Sequence, residues 1–255
     1  METVKVKVNN RKINFIVLSS VLFLFNSCAK QQDVPLPITS SNEKAVELYK
    51  EAFIHWYSNE GRENREKLEA ALRIDPNFVL ANLYINMNDP VLNRNFRSRS
   101  IEHKNDVSNA EKYQVEMQMA YRDGKQNEAV SIGKKLVDEY PNSSEAYVLL
   151  GEAYYALLDW DNSIDNYNKA LELNPKNYRA WYDLMQHQVP NNFNTMLPTE
   201  RLDSKLGIKY AEGLLTSMPE NPNAWRLRGN VERYSSNFEK AQEYYDKAVE
   251  LSDLT

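Results

Sequence analysis

One arrangement of side chains returns along this chain at a spacing of about 34 residues, and a fixed period of that length restricts the fold to a stack of like units. It is plainest from Ser143 to Pro175, where Tyr147, Leu150, Gly151, Tyr154, Ser163, Tyr167, Ala170 and Pro175 mark the frame. The same frame holds Tyr113, Met117, Ala120, Ala129 and Pro141 upstream. Leu48, Ala52, His55, Leu68, Ala71 and Pro76 form a first unit, and Asn82, Ile85 and Asn86 begin a degenerate, shortened second. Trp181 and Leu184 open a fifth, while Trp225, Gly229, Ala241, Tyr245 and Ala248 give a sixth. Only 7 Gly against 42% apolar residues favours helices over a turn-rich β fold. Pro76, Pro141, Pro175 and Pro219 each end a run of helix formers. Ser108 with Glu111, Asn142 with Glu145, and Asn221-Pro222 read as helix starts. Gly151 and Gly229 cost about 1 kcal/mol relative to Ala inside a helix, so close packing is expected there.

These residues resemble the tetratricopeptide repeat (TPR), most closely over Ser143–Pro175. The resemblance implies an all-α fold, a right-handed α-solenoid of about six TPR-like helix pairs over residues 42–255. It also implies a concave face lined by the first helix of each pair, where repeat proteins bind partners. Positions pointing outward between the packing residues are Tyr49, Phe53 and Trp56, then Gln114, Gln118 and Tyr121, then Val148, Glu152 and Tyr155. Tyr182 and Gln186 follow, then Arg226, Asn230 and Arg233. Tyr49, Phe53, Trp56, Tyr121, Tyr155, Tyr182, Arg226, Asn230 and Arg233 are therefore the candidate partner-binding residues, a Tyr-rich groove with an Arg-bearing end. Tyr and Arg carry binding energy at interfaces, which suits an extended peptide or a loop of a partner. The other reading of these tyrosines is packing between helices. Arg226 and Asn230, in WRLRGN, resemble part of the carboxylate clamp of chaperone-binding repeats, which draws on two further repeats and is not expected intact here.

The step from Trp181 to Trp225 exceeds the period, and the excess falls in VPNNFNTMLPTE, an insertion near residues 190–199. Pro190 and Pro198 bracket an Asn-rich stretch that reads as a surface loop. Phe193, Met196 and Leu197 are the side chains by which it would meet a partner.

The N-terminus reads as an address. Residues 1–12 are polar and basic, Ile13 to Phe25 almost wholly apolar, and Asn26-Ser27-Cys28 follow, the three-part plan of a secretory signal too short to span a bilayer. LFLFNSC resembles the lipobox of bacterial lipoproteins, which implies removal of residues 1–27 and lipidation at Cys28. Cys28 is the sole cysteine, so no internal disulfide accounts for it. Residues 28–41, with Pro35 and Pro37, are expected to be a flexible tether that packs no core. Lys30 departs from the acidic retention signal of inner-membrane lipoproteins, so the resemblance favours the outer membrane, on its periplasmic or surface face.

Loss of Lys5, Lys7, Arg11, Lys12 and Glu2 with the signal takes the net charge from −5 to −8, which disfavours nucleic acid as a partner. His55, His103 and His187 fall in different repeats, the first as a packing residue and the other two exposed, so no metal site is expected. No phosphate-loop, dinucleotide, zinc-protease or hydrolase-elbow motif occurs. The expectation is a non-catalytic scaffold or adaptor without cofactor, binding a protein or peptide on its concave face and the membrane through its lipid. The alternative is a lipoprotein whose groove takes a glycan or small molecule.

Overall fold

The computed structural model describes residues 32–57, 61–188 and 202–252, and among these every regular element is a helix. The helices run α1 (Glu43–Tyr57), α2 (Gly61–Ile74), α3 (Val79–Tyr84), α4 (Pro90–Glu102), α5 (Asn109–Arg122) and α6 (Gln126–Glu139). They continue as α7 (Ser144–Ala156), α8 (Trp160–Leu173), α9 (Tyr178–Gln188), α10 (Ser204–Ser217), α11 (Pro222–Tyr234) and α12 (Phe238–Ser252). Each odd-numbered helix packs on the even-numbered helix that follows it, and α6 on α7, α8 on α9 and α10 on α11 join successive pairs. This is the all-α solenoid of six helix pairs that the period implies. None of these helices is long and apolar enough to cross a membrane.

Local chemistry sets the helix ends. Ser108 and Glu111 form a reciprocal capping box at α5, and the side chains of Asp89, Asp203 and Asn221 accept from the first-turn amides of α4, α10 and α11. The turn inside three pairs places one residue in the left-handed region, Gly124 (φ 71°), Leu158 (φ 63°) and Ser236 (φ 62°). The shortened second unit has a specific origin. α3 ends after six residues where Ile85 turns extended (φ −63°, ψ 132°), and Asp89, extended before Pro90 (φ −131°, ψ 113°) as the proline ring requires, caps the start of α4. Asn93 replaces the missing backbone partners: its Oδ1 accepts from Met87 N–H (2.7 Å) and its Nδ2 donates to Met87 O (2.7 Å).

Residues 32–41 correct the expectation of a flexible tether that packs no core. They form an extended strap across the ends of successive pairs. Ser40 Oγ and Ser41 N–H donate to Asp75 after α2 (2.7 and 2.9 Å), and Thr39 N–H and Oγ donate to Glu111 in α5 (2.8 and 2.6 Å). Val34 N–H donates to Asn142 O (2.9 Å). Asp33 accepts from Ser144 N–H and Oγ at the start of α7 (2.7 and 2.9 Å) and from Asn174 Nδ2 after α8 (2.9 Å). Leu36 is buried in the core shared by α5, α6 and α7. The two prolines stiffen the segment in the extended form that such a strap needs. Cys28, the signal-like residues 1–27 and the insertion at 190–199 lie outside the described residues.

Candidate functional site: the cleft between the first helices

The first helices of five pairs enclose a cleft of about 610 Å³. α1 gives it Phe53, α3 and its exit give Tyr84 and Asn86, and α5 gives Gln118. α7 contributes Glu152 and Tyr155, and α9 contributes Arg179, Tyr182, Asp183, Gln186 and His187. Arg97 of α4 and Tyr167 of α8 complete its wall. A smaller pocket of about 300 Å³ adjoins it through the shared Phe53 and Arg179, with strap residues Pro35 to Ile38 on one side.

Arg179 organises the centre. It is buried, donates to Glu145 through Nη1 and to Glu152 through Nη2, both at 2.7 Å, and lies over the Phe53 ring at 5.8 Å. Glu145 and Arg179 occupy equivalent positions one period apart, separated by 34 residues, so the repeat itself brings opposite charges together on adjacent first helices. Such a pair preserves the register of neighbours but leaves little charge on Arg179 for a ligand. Tyr84 donates to Gln114 Oε1 (2.9 Å), and Gln186 Nε2 donates to Tyr182 Oη (2.8 Å). Burial pushes the Tyr84 and Tyr182 phenols up, so both remain neutral donors at physiological pH.

His187 corrects the expectation of exposure, for only 2% of it is accessible. Tyr155, Tyr167 and Trp160 surround its ring at centroid distances of 4.7, 5.6 and 6.1 Å. Nδ1 lies 2.5 Å from Asp183 O, an acceptor, and so carries the proton, and Nε2 faces Ser163 Oγ at 3.3 Å. Burial holds its pKa below the ordinary imidazole value, which keeps it neutral as a packing and positioning group. Asp183 is pushed the other way. Burial first, and then the charge of Glu152, raise its carboxyl well above the usual carboxylate range, and its Oδ2 is shielded from solvent without a hydrogen-bond partner.

Of the candidate partner-binding residues, Phe53, Tyr155 and Tyr182 meet in the cleft, and so do Gln118, Glu152 and Gln186, which the repeat also places outward. Tyr49 does not point outward: it is 6% exposed and packs on Phe53 and Phe78 at 5.0 and 5.2 Å, its edge reaching the smaller pocket. Gln114 and Val148 are likewise buried, the first as the acceptor of Tyr84 and the second in the core shared with α8 to α11. Tyr121 faces a separate hollow of about 470 Å³ with Leu83, Arg97 and Met119. The Arg-bearing end is a correction too. Arg226 bonds to Asn223 on its own helix, Asn230 accepts from Tyr245 Oη (2.9 Å), and Arg233 lies over the Tyr234 ring, so none of the three lines the cleft. The Trp56 and His55 side chains lie outside the described residues. Arg179, Asp183, Tyr84 and Asn86 were not selected from sequence, although the 34-residue step from Glu145 to Arg179 was a usable signal. Among the described residues no group of three or more His, Cys, Asp or Glu side chains is placed to hold a metal ion.

Stacked helix pairs with an aromatic, polar cleft along their first helices define a helical-repeat protein. Two segments match family models of the tetratricopeptide repeat, residues 144–177 and 223–253, which are the α7–α8 and α11–α12 pairs. The chain thus carries tetratricopeptide repeats. Over 128 residues, 50% of this chain, it is 25% identical to Protein O-mannosyl-transferase TMTC1 of Homo sapiens, and it is 26% identical to that of Mus musculus over the same length. The aligned span is 14% and 13% of those proteins, far too little to bring their transferase activity with it. Among solved structures, the type IV pilus biogenesis factor PilW is similar at a TM-score of 0.48 and 16% identity, covering 80% of this chain and 91% of that one. MamA is similar at a TM-score of 0.42 and 18% identity, covering 79% and 94%. Likenesses this low carry no argument about function.

Proposed function

We propose that this protein is a non-catalytic scaffold that receives an extended polypeptide segment of another protein in the cleft between its first helices. The observation that carries the reading is the cleft itself, about 610 Å³, walled by consecutive pairs and lined with aromatic rings and amides around the Arg179–Glu152 ion pair, Asp183 and the buried His187. An extended segment can run along such a wall and meet one pair after another. The test is site-specific photocrosslinking in cells. A photoreactive residue at Gln118 or Asn86 should capture a discrete protein, and one at Asp161, on the second-helix side, should not. Equal capture at both positions, or none at the cleft, would remove the reading.

The same proposal places the protein in a bacterial envelope, at the outer membrane, through acyl chains on Cys28 after removal of residues 1–27. The basic start, apolar run and sole cysteine support it. Intact mass of the membrane-fraction protein should show a chain beginning at Cys28 with added acyl mass, and Cys28→Ala should leave the membrane. A soluble, unacylated wild type would defeat this half alone. The aromatic wall formed by Phe53, Tyr84, Tyr155 and Tyr182 also favours a second reading, a glycan stacked in the cleft. Thermal shift separates the two, since a true ligand at 100 times its Kd adds about 2.7 kcal/mol.

A further inference from the structure

In the register of the repeat, one first-helix position is Val115 in α5, Leu149 in α7 and Leu227 in α11, all of them buried. In α9 that position is Asp183. Packing alone calls for another aliphatic residue there. What the chain has instead is a carboxylate at the wall of the cleft, with Oδ2 closed off from solvent and lacking any hydrogen-bond partner. A buried acceptor without a partner is destabilising, and such departures from the local rule collect at sites where a ligand supplies what the fold withholds. The neighbouring carboxylate of Glu152 also lines the cleft and deepens the imbalance, because its charge opposes ionisation of Asp183. Arg179 acts the other way and favours ionisation of Asp183, but more weakly than Glu152 and burial oppose it, and its two terminal nitrogens are engaged at 2.7 Å by Glu145 and Glu152.

We infer that Asp183 and Glu152 form an anchor subsite for one lysine or arginine side chain of the partner polypeptide, its cation lying against the Tyr155 and Tyr182 walls. The inference rests on the peptide-groove reading above and adds the chemistry of the residue recognised. A cation donates the hydrogen bond that Oδ2 lacks, favours the ionised form of Asp183 that burial and Glu152 oppose, and is favoured by aromatic faces. An acidic side chain at the same place meets the charge of Glu152 and opposes the ionisation of Asp183 further. The occupant is therefore an extended segment that carries one basic residue at the position facing Asp183 and Glu152.

Random short peptides displayed on phage and selected on the full chain test this directly. Wild type should enrich sequences with Arg or Lys at one fixed position. For a synthetic peptide of that kind, replacing the basic residue by Gln should weaken binding roughly tenfold or more, as should Asp183→Asn with the original peptide. Asp183→Asn should also bind the basic and Gln peptides about equally. Asp183→Leu restores the residue type found in α5, α7 and α11, so it should fold at least as well as wild type and still lose the basic preference. Enriched peptides without a fixed basic residue, or a basic preference that survives in both variants, overturn the anchor and leave the peptide groove standing. If wild type enriches no peptide at all, the groove reading falls and the anchor with it.

Discussion

Gly151 faces Tyr167 across the fourth helix pair so closely that a Cβ built on it would lie 2.7 Å from the ring. Tyr167 is 1% exposed and has no room to retreat. Alanine is the better helix former by about 1 kcal/mol, but forcing a methyl group into a filled core costs typically 1–3 kcal/mol. Gly151→Ala should therefore lower stability by about 1–2 kcal/mol in urea unfolding, and an unchanged midpoint would contradict the packing described. Leu158 presents the opposite case. It holds the left-handed position that Gly124 fills in the preceding pair (φ 63° against 71°), and it is 52% exposed, so little apolar contact compensates for the backbone. An L-residue with a Cβ pays roughly 1–2 kcal/mol in that region, partly offset in any glycine variant by the greater freedom of the unfolded chain. Leu158→Gly should raise stability by about 0.5–1 kcal/mol, while Gly124→Ala should lower it by a similar amount. A loss for Leu158→Gly would mean that contacts of its side chain outweigh the backbone term.

At the scale of elements, the helices were legible because each rests on local signals, whereas the strap was not because it rests on distant ones. Apolar spacing and prolines mark the helix pairs, and Ser108 with Glu111 announces α5 from four residues of sequence. Nothing within residues 32–41 announces that Asp33 will meet Ser144 or that Thr39 will meet Glu111, 111 and 72 residues away. Two prolines among polar residues suit a loose spacer and a docked extended segment equally, and only partners on the far side decide between them. The cleft shows the same division. Tyr155 and Tyr182 could be read from their place in the repeat, but the depth of Tyr49 and the distance of Arg226 from the cleft depend on how one pair leans on the next. Glu111 shows how much the strap matters: it is fully buried, and its oxygens accept from Thr39 N–H and Oγ and from Ser108 N–H and Oγ. Hydrogen bonds to a charged group contribute about 1.5–3 kcal/mol each, so Thr39→Val, which keeps the shape and removes one donor, should destabilise by about that much. It should also open residues 32–41 to limited proteolysis. A variant as stable and as protected as wild type would show the strap to be passive.

The strap also shapes how the whole molecule holds together. A solenoid is coupled chiefly between neighbours, and its ends open first. Here the strap reaches from Asp75, after α2, past Glu111 of α5 to Asn174, after α8, and so ties the first, third and fourth pairs to one segment. The last pair lies beyond its reach. It is held to the stack by Ala224, Leu227 and Val231, which share a core with α9 and α10, and by an ion cluster: Arg228 of α11 lies 2.6 Å from both Glu212 of α10 and Glu232, and its guanidinium lies over the Tyr244 ring of α12 at 4.6 Å. Glu232 is 2% exposed, and hydrogen bonds from Asn237 and Arg228 hold its pKa below the ordinary value in spite of burial. A depressed carboxyl pKa contributes stability that is complete above the ordinary glutamate range and disappears as pH falls through the folded value, so acid should loosen this end. Removing one partner of a buried ion pair costs about 3–5 kcal/mol, because the remaining charge is left without compensation. Native-state hydrogen exchange of Arg228→Met should accordingly show α11 and α12 opening far more readily than in wild type, with α5 to α8 unchanged. Lowering the pH of wild type below about 4 should move protection in the same order. If the strapped helices instead lost protection by the same amount as α11 and α12, the strap would not divide the stack, and the six pairs would open as one cooperative body.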